Sequence, residues 1–270
     1  MRRTEIAGRP DWPLWRAAVR QGRVIGALVL REVHTRYGRE NLGFLWFTAE
    51  PLLFCLLVAG LWVGLHGRYD HGVPIVEFVM TGYLPLTLWS HVTGRAIHCL
   101  RANAALLYHR QVKMVDLFLA RILLEVYGSM IAYLVAAFVF MSLDMYELPR
   151  NWGLFYLAWL YFILLAAGLG LVVGSLSEMS EWVEKFIGPV MFCLLPVSGA
   201  FFMADWLPDN LRAVVMWIPT VSAYELLRAG QFGKTVHAHY DLAYLTFVCG
   251  VLIWVGLMLC RRVHRYLVLA

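Results

Sequence analysis

The chain has 270 residues, 61% of them hydrophobic and only 15% charged, against roughly 25% charged residues in a soluble domain. Six long apolar stretches take up most of it, which excludes an ordinary globular protein and leaves little room for a separate soluble domain. The net charge of +5 is not carried by any basic run with interleaved aromatics in a soluble segment, so nucleic acid is not an expected partner.

The first 23 residues are charged and broken by proline, with no apolar stretch suited to a cleavable leader. From there Val24, Ile25, Leu28, Val29, Val33 and Tyr37 recur at helical spacing, while Arg23, Arg31, Glu32, Arg36 and Arg39 supply charge elsewhere. The pattern predicts a helix lying in the membrane surface, apolar face among acyl chains and arginines among lipid phosphates. An ordinary surface helix ahead of a first span is the plainer alternative. Gly38 and Gly43 flank a joint, Trp46 stands where an aromatic anchor marks the headgroup boundary, and Pro51 can kink the helix that follows.

A membrane-spanning helix needs about 20 mostly apolar residues. Six such spans are predicted: Phe44 to Leu65, Ile75 to Leu100, Leu117 to Leu143, Trp152 to Leu176, Phe186 to Met203 and Leu242 to Cys260. Of the 23 Lys and Arg residues, nine precede the first span, four lie from Arg101 to Arg121, one is Lys185 and three end the chain, 17 on one side; Arg68, Arg150, Arg212, Arg228 and Lys234 make five on the other. Arg95 falls inside a span. Basic residues accumulate on the cytoplasmic side, which puts both termini there.

The second span carries Thr87, His91, Arg95 and His98 at i, i+4, i+8 and i+11, one stripe of a helix. A mid-helix arginine costs about 2.5 to 3.5 kcal/mol on insertion scales, so the stripe should face protein or water. Either Arg95 reaches the headgroups while the histidines bond within the bundle, or the stripe is a cationic lining for an anionic substrate. The inner loop RANAALLYHRQVKMVD follows, in which Asn103 is a candidate cap for a short helix over Ala104 to Arg110. Its mixed apolar and basic character suits a docking surface, and a solvated loop is the alternative. Beyond it, Arg121 and Glu125 stand four apart and are expected to pair on one helix face.

Trp152, Tyr156, Trp159, Tyr161 and Phe162 open the fourth span as belt aromatics or, alternatively, as surfaces for sugar rings. Ala166, Gly170 and Gly174 form a ridge of small residues that invites a close helix neighbour. Glu178, Glu181 and Glu184 read as a solvated acidic face or a contact for a basic partner. The stretch from Pro196 to Pro219 is punctuated by Pro208 and holds apolar runs too short to cross a bilayer, so a helix that enters from the outer face and turns back is expected. The five cysteines show no CxxC spacing and read as packing residues; His237 and His239 alone make a weak metal signal. There is no GxxxxGK[ST], HExxH or GxSxG, which favours transport or scaffolding over catalysis. An integral membrane transferase and an unenergised pore remain as other classes.

Three blocks, RExxxRYGRENLGFLWFTAEPLL, NAALLYHRQVKMVDLFLAR, and PVSGAFF with IPTVSAYELLRAGQF, together resemble the transmembrane subunits of ABC-2 type polysaccharide exporters, most closely the capsular-polysaccharide (KpsM-like) branch. The resemblance covers about residues 25 to 235. It implies an all-α integral membrane protein of six spans with an N-terminal interfacial helix (1–43), a transmembrane domain (44–260) and a basic cytoplasmic tail (261–270). Within the domain it implies an inner coupling loop at about 101–116 and outer re-entrant helices at about 195–220. It further implies a homodimeric permease in the bacterial inner membrane, not itself an enzyme, with ATP and Mg²⁺ bound by a separate cytoplasmic ATPase subunit. The cargo implied is a lipid-linked acidic polysaccharide, passed on to a periplasmic co-polymerase-type adaptor and an outer-membrane export protein. O-antigen, teichoic acid, or a small lipid or drug are alternative cargoes. By position, Arg31, Arg36, Tyr37, Arg39 and Trp46 correspond to the gate helix beside the lipid anchor, and Leu107, Tyr108, His109, Arg110 and Lys113 to the ATPase-coupling segment. His91, Arg95 and His98, with Trp159, are candidates for the substrate path from helical spacing and residue type alone.

Overall fold

A computed structural model describes residues 14–37, 42–97, 99–107 and 112–269 of the chain. Helix α1 (Leu14–Tyr37) is followed by α2 (Leu42–His66), and a two-residue antiparallel pair, β1 (Tyr69–Asp70) and β2 (Val73–Pro74), turns the chain into α3 (Ile75–Ala96). His71 (φ 48°) and Gly72 (φ 79°) make that turn, the backbone twist a two-residue hairpin requires. Two short helices, α4 (Cys99–Ala102) and α5 (Ala104–Leu107), lead to α6 (Met114–Ser142), α7 (Trp152–Met179) and α8 (Glu181–Leu194). After a 3₁₀ turn come α9 (Asp209–Val215), α10 (Pro219–Phe232) and α11 (Leu242–Leu269).

Among the described residues, three helical stretches are long and apolar enough to cross a membrane: Met114–Ser142, Trp152–Met179 and Leu242–Val263. Helix α7 is the centre of the bundle, with α3, α10 and α11 packed around it. The predicted ridge of small residues is one reason. A Cβ at Gly174 would lie 2.5 Å from the Phe118 ring and 2.9 Å from the Ala96 carbonyl, so the α3 and α6 contacts there need glycine. One turn up, Gly170 faces Val92. Helix α3 is enclosed along most of its length, from Ile75 to Ala96, which is why its threonines are satisfied within the helix: Thr81, Thr87 and Thr93 each donate to a carbonyl three or four residues back.

The expected fifth span does not form as one helix. Instead of running from Phe186 to Met203, helix begins at Glu181, ends at Leu194 and gives way to turns through Ala200. Its 14 residues rise about 21 Å, short of the roughly 30 Å hydrocarbon core. Pro196 has no N–H with which to extend the helix, and Gly199 adopts φ 95° against Val221 and Tyr224, a conformation open to glycine. The first helix also differs from its expected span, starting ten residues before Val24, at Leu14.

Candidate functional site

Two ends of the bundle gather the polar residues. They are named inner and outer from the charge bias of the sequence.

At the inner end, α1 lies against α6 and is held by side-chain contacts. Gln21 donates to Asp116, which also accepts from the Lys113 backbone N–H at 3.0 Å and so caps the start of α6. Arg31 donates to Asn103 Oδ1 at 2.7 Å. Glu32, 9% exposed, meets the Arg121 guanidinium at 3.2 Å. The side chain of Asn103, the expected cap of α5, accepts from Arg31 on its oxygen and donates its amide to the Cys99 carbonyl at 2.9 Å.

The expected Arg121–Glu125 pair is replaced by two pairs between helices. Arg121 turns to Glu32 of α1 and also donates to the Arg95 carbonyl, while Glu125, 2% exposed, receives Arg95 of α3. His91 lies 3.8 Å from the same carboxylate. The spacing within α6 is right for an intrahelical pair, but α1 and α3 pack on α6 so that Glu32 and Arg95 reach these side chains instead. Of the candidate substrate stripe, Thr87 bonds the Leu84 carbonyl, His91 and Arg95 converge on Glu125, and His98 lies outside the described residues. Trp159 is 3% exposed and edge-on to Tyr133, with ring centroids 5.5 Å apart, so its ring is enclosed within the subunit.

Of the gate-helix candidates, Arg31 is exposed on α1, Arg36 and Tyr37 lie in its last turn, and Trp46 lies early in α2. Arg39 lies outside the described residues, as do Tyr108, His109 and Arg110 of the coupling segment. Leu107 ends α5, and Lys113 is exposed and precedes α6. The acidic run is only partly solvated. Glu178 and Glu184 both receive Arg101 of the inner loop, at 3.3 and 3.1 Å, and Glu181 is exposed.

At the outer end, α10 anchors the proline-rich block. Arg228 is fully buried. It donates to the Phe202 carbonyl and, at 2.8 Å, to that of Ala200, with its guanidinium 4.2 Å from the Phe78 ring centre. The aromatic face offers the charge a favourable electrostatic surface where no water reaches it. Glu225, 1% exposed, accepts the backbone N–H of Ala204 at 2.9 Å and of His239 at 3.0 Å. The bend at Ala200 sits directly against α3, where a Cβ at Gly82 would stand 2.3 Å from the Ala200 oxygen. The His239 ring faces Asp205 at 3.5 Å, and among the described residues no group of three or more His, Cys, Asp or Glu is placed to hold a metal ion.

Beside this block, Glu77 accepts the Glu147 backbone N–H at 2.9 Å and the Gln231 amide at 3.2 Å, and the same amide reaches the Glu147 carbonyl at 2.8 Å. Tyr146 donates to Gln231 at 3.2 Å. Burial raises the Tyr146 phenol above its ordinary pKa, so it stays protonated, and a donor, at neutral pH. These bonds close one side of a cavity of about 340 Å³ lined by Arg68, Tyr69, Glu77, Asp144 and Glu147 among others.

Sequence reasoning singled out neither Glu225 and Arg228 nor the pairing of Glu32. The signal for the first two was present: an acid and an arginine three apart on an apolar helix, in a block already noted for its prolines.

The family model for ABC-2 type transporters matches residues 23–232. The chain is 38% identical over 251 residues to the capsule polysaccharide export inner-membrane protein CtrC of Neisseria meningitidis serogroup B, covering 93% of this chain and 95% of that one. It is 35% identical over 245 residues to the capsule polysaccharide export inner-membrane protein BexB of Haemophilus influenzae, covering 91% and 92%. To the polysialic acid transport protein KpsM of Escherichia coli it is 28% identical over 238 residues, covering 88% and 92%.

Proposed function

From its membership of the ABC-2 type transporter family, to which this chain belongs, we propose that it is the transmembrane subunit of an exporter that carries capsular polysaccharide across the bacterial inner membrane. The observation that carries this reading is the likeness to CtrC and BexB along nine-tenths of both chains. A match of that extent includes the inner loop and the outer block as well as the spans, and these are the parts a permease needs beyond its apolar helices.

In this reading the permease works as a homodimer of six-span subunits with both termini in the cytoplasm. A cytoplasmic ATPase subunit binds ATP and Mg²⁺ and engages the loop around Leu107 to Lys113. The short helix α8 and the block from Pro196 to Pro219 supply the fifth crossing and the outer re-entrant helices. Helix α1 is the gate beside which a lipid-linked polymer enters, its arginines drawing the phosphate of the anchor. The periplasmic adaptor and outer-membrane export protein receive the chain. The polymer is acidic in this reading; within the subunit Glu125 engages His91 and Arg95, and Trp159 is buried.

Deleting the gene in its native host tests the proposal. Lipid-linked polysaccharide should accumulate inside the cell and capsule should vanish from the surface, both restored by the wild-type chain. Normal surface capsule in the deletion strain would sink it. A second variant tests the coupling segment: reversing the charges of Arg110 and Lys113 should lower polymer-linked ATP turnover while leaving membrane insertion intact.

A further inference from the structure

We propose that Arg101 is a strut through which the inner loop sets the angle of α8, so that α8 and α1 follow that loop together. The starting point is the joint between α7 and α8. Only Ser180 separates them, in an extended conformation (φ −153°, ψ 120°). Its N–H still bonds the Leu176 carbonyl, and its own carbonyl accepts Glu184 N–H at 3.3 Å. A single non-helical residue leaves the two helices continuous in the chain but free to change their mutual angle.

The two sides of this joint are supported very differently. Above it α7 is enclosed by α3, α10 and α11. Beyond it α8 has one buried residue, Ile187, and exposes Trp182, Phe186, Val190 and Phe192. Within the subunit, helix packing does little to fix the direction of α8.

Arg101 supplies that support from a third element. Its Nε lies 3.3 Å from Glu178 Oε2 and its backbone N–H donates to Glu178 Oε1 at 3.3 Å, while Nη1 lies 3.1 Å from Glu184 Oε2. One planar guanidinium thus spans Ser180, one carboxylate in the last turns of α7 and the other in the first turn of α8. Two residues further on, Asn103 holds Arg31 of α1 at 2.7 Å. The turn from Cys99 to Asn103 therefore grips α1 through one side chain and α8 through another. Arg101 is half exposed and Glu184 is 23% exposed, so the bond to α8 can lengthen or exchange, while Glu178, 8% exposed, is the anchored end of the strut. That suits a moving part better than a permanent fastening.

This inference rests on the exporter reading, since the push on the inner loop comes from the ATPase subunit. Arg101 is a positioning residue: it acts through α8. The reporter is native. Cys193 lies near the end of α8 and is exposed, whereas Cys55, Cys99, Cys249 and Cys260 are buried.

In the assembled exporter, maleimide labelling of Cys193 is followed with and without ATP, beside ATP hydrolysis. Wild type should change its labelling rate about fivefold on nucleotide addition, the lower end of the range typical of two coupled sites. Arg101→Ala should abolish that response while hydrolysis continues, Glu184→Ala should do the same, and the double variant should add nothing further. Arg101→Lys, which keeps the charge but loses the fork, should respond partially. A full nucleotide response in Arg101→Ala, or an unresponsive Cys193 in a wild-type complex that hydrolyses ATP and exports polymer, overturns the proposal. Failure of any ATPase to join the wild-type permease overturns the exporter reading instead.

Discussion

The outer block and the inner end both carry buried charge, but they connect it to different things. Outside, charged side chains bond backbone: Arg228 to the carbonyls of Ala200 and Phe202, Glu225 to the N–H groups of Ala204 and His239, Glu77 to that of Glu147. Inside, some charged side chains also bond backbone, but most of the contacts join side chains of different helices: Glu32 with Arg121, Arg95 with Glu125, Arg101 with Glu178 and Glu184, Arg31 with Asn103. A side chain that satisfies irregular backbone fixes the path of the chain, and removing it leaves peptide groups unpaired in a dry site. A pair between two helices ties their positions, and it can be re-formed with other partners without unfolding either. The outer end is thus built as a fixed cap and the inner end as an assembly of separable struts.

The largest break in this comparison is expected at Arg228. Arg228→Met strips two buried carbonyls of their donor, at about 1 to 3 kcal/mol for each unsatisfied group. The variant should show a much lower midpoint of thermal unfolding in detergent and a reduced level in the membrane. If it unfolds like wild type, the outer block is not held in the way described. Glu77→Ala should follow at about 1 to 3 kcal/mol, since it frees the Glu147 N–H and one bond of Gln231. Its mark should be local: faster proteolysis between Asp144 and Arg150 than in wild type.

At the inner end the expected effects are partly reversible. Arg95→Met leaves Glu125 without its nearest cation in a site where the carboxylate is 2% exposed, and should cost about 2 to 4 kcal/mol. Adding Glu125→Met removes the stranded charge and should recover most of that loss. Export separates the two roles considered for Arg95. A double variant that folds and exports an acidic polymer normally makes Arg95 a helix fastener. One that folds but fails to export returns it to the substrate path.

How much of this was legible in the sequence follows from the same contrast. Apolar length located α2, α3, α6 and α7 to within about four residues at each end, and the start of α11, because membrane burial acts on each segment separately. The fifth span was misplaced because the apolar run continues past Pro196 into Phe201 and Phe202, and hydropathy does not register that a proline and a positive-φ glycine bend the backbone there. Pairing was less legible still. Arg121 and Glu125 satisfy the intrahelical rule; that Glu32 and Arg95 take them instead depends on how α1 and α3 pack on α6. Helix α1 was legible as an interfacial helix from its amphipathic face, but its polar contacts with Asn103, Asp116 and Arg121 need tertiary structure to be seen.

The smallest expected effect sharpens the contrast most, because it falls on a residue with two possible duties. Arg31 is exposed on α1, where its charge suits a lipid phosphate, and it also donates to Asn103 at 2.7 Å. A hydrogen bond of this kind contributes about 0.5 to 1.5 kcal/mol, so its loss should lower export by less than about tenfold. Arg31→Gln retains an amide donor but loses the charge; Asn103→Ala retains the charge but loses the acceptor. If the bond between α1 and the inner loop is what matters, Asn103→Ala should impair export at least as much as Arg31→Gln, and the two together should be no worse than the stronger single change. If the charge matters, only Arg31→Gln should impair export, and the defect should grow as the salt concentration falls and phosphate attraction in the wild type strengthens. The first outcome makes α1 a strut of the inner loop. The second makes it a surface for the lipid anchor that happens to rest on that loop.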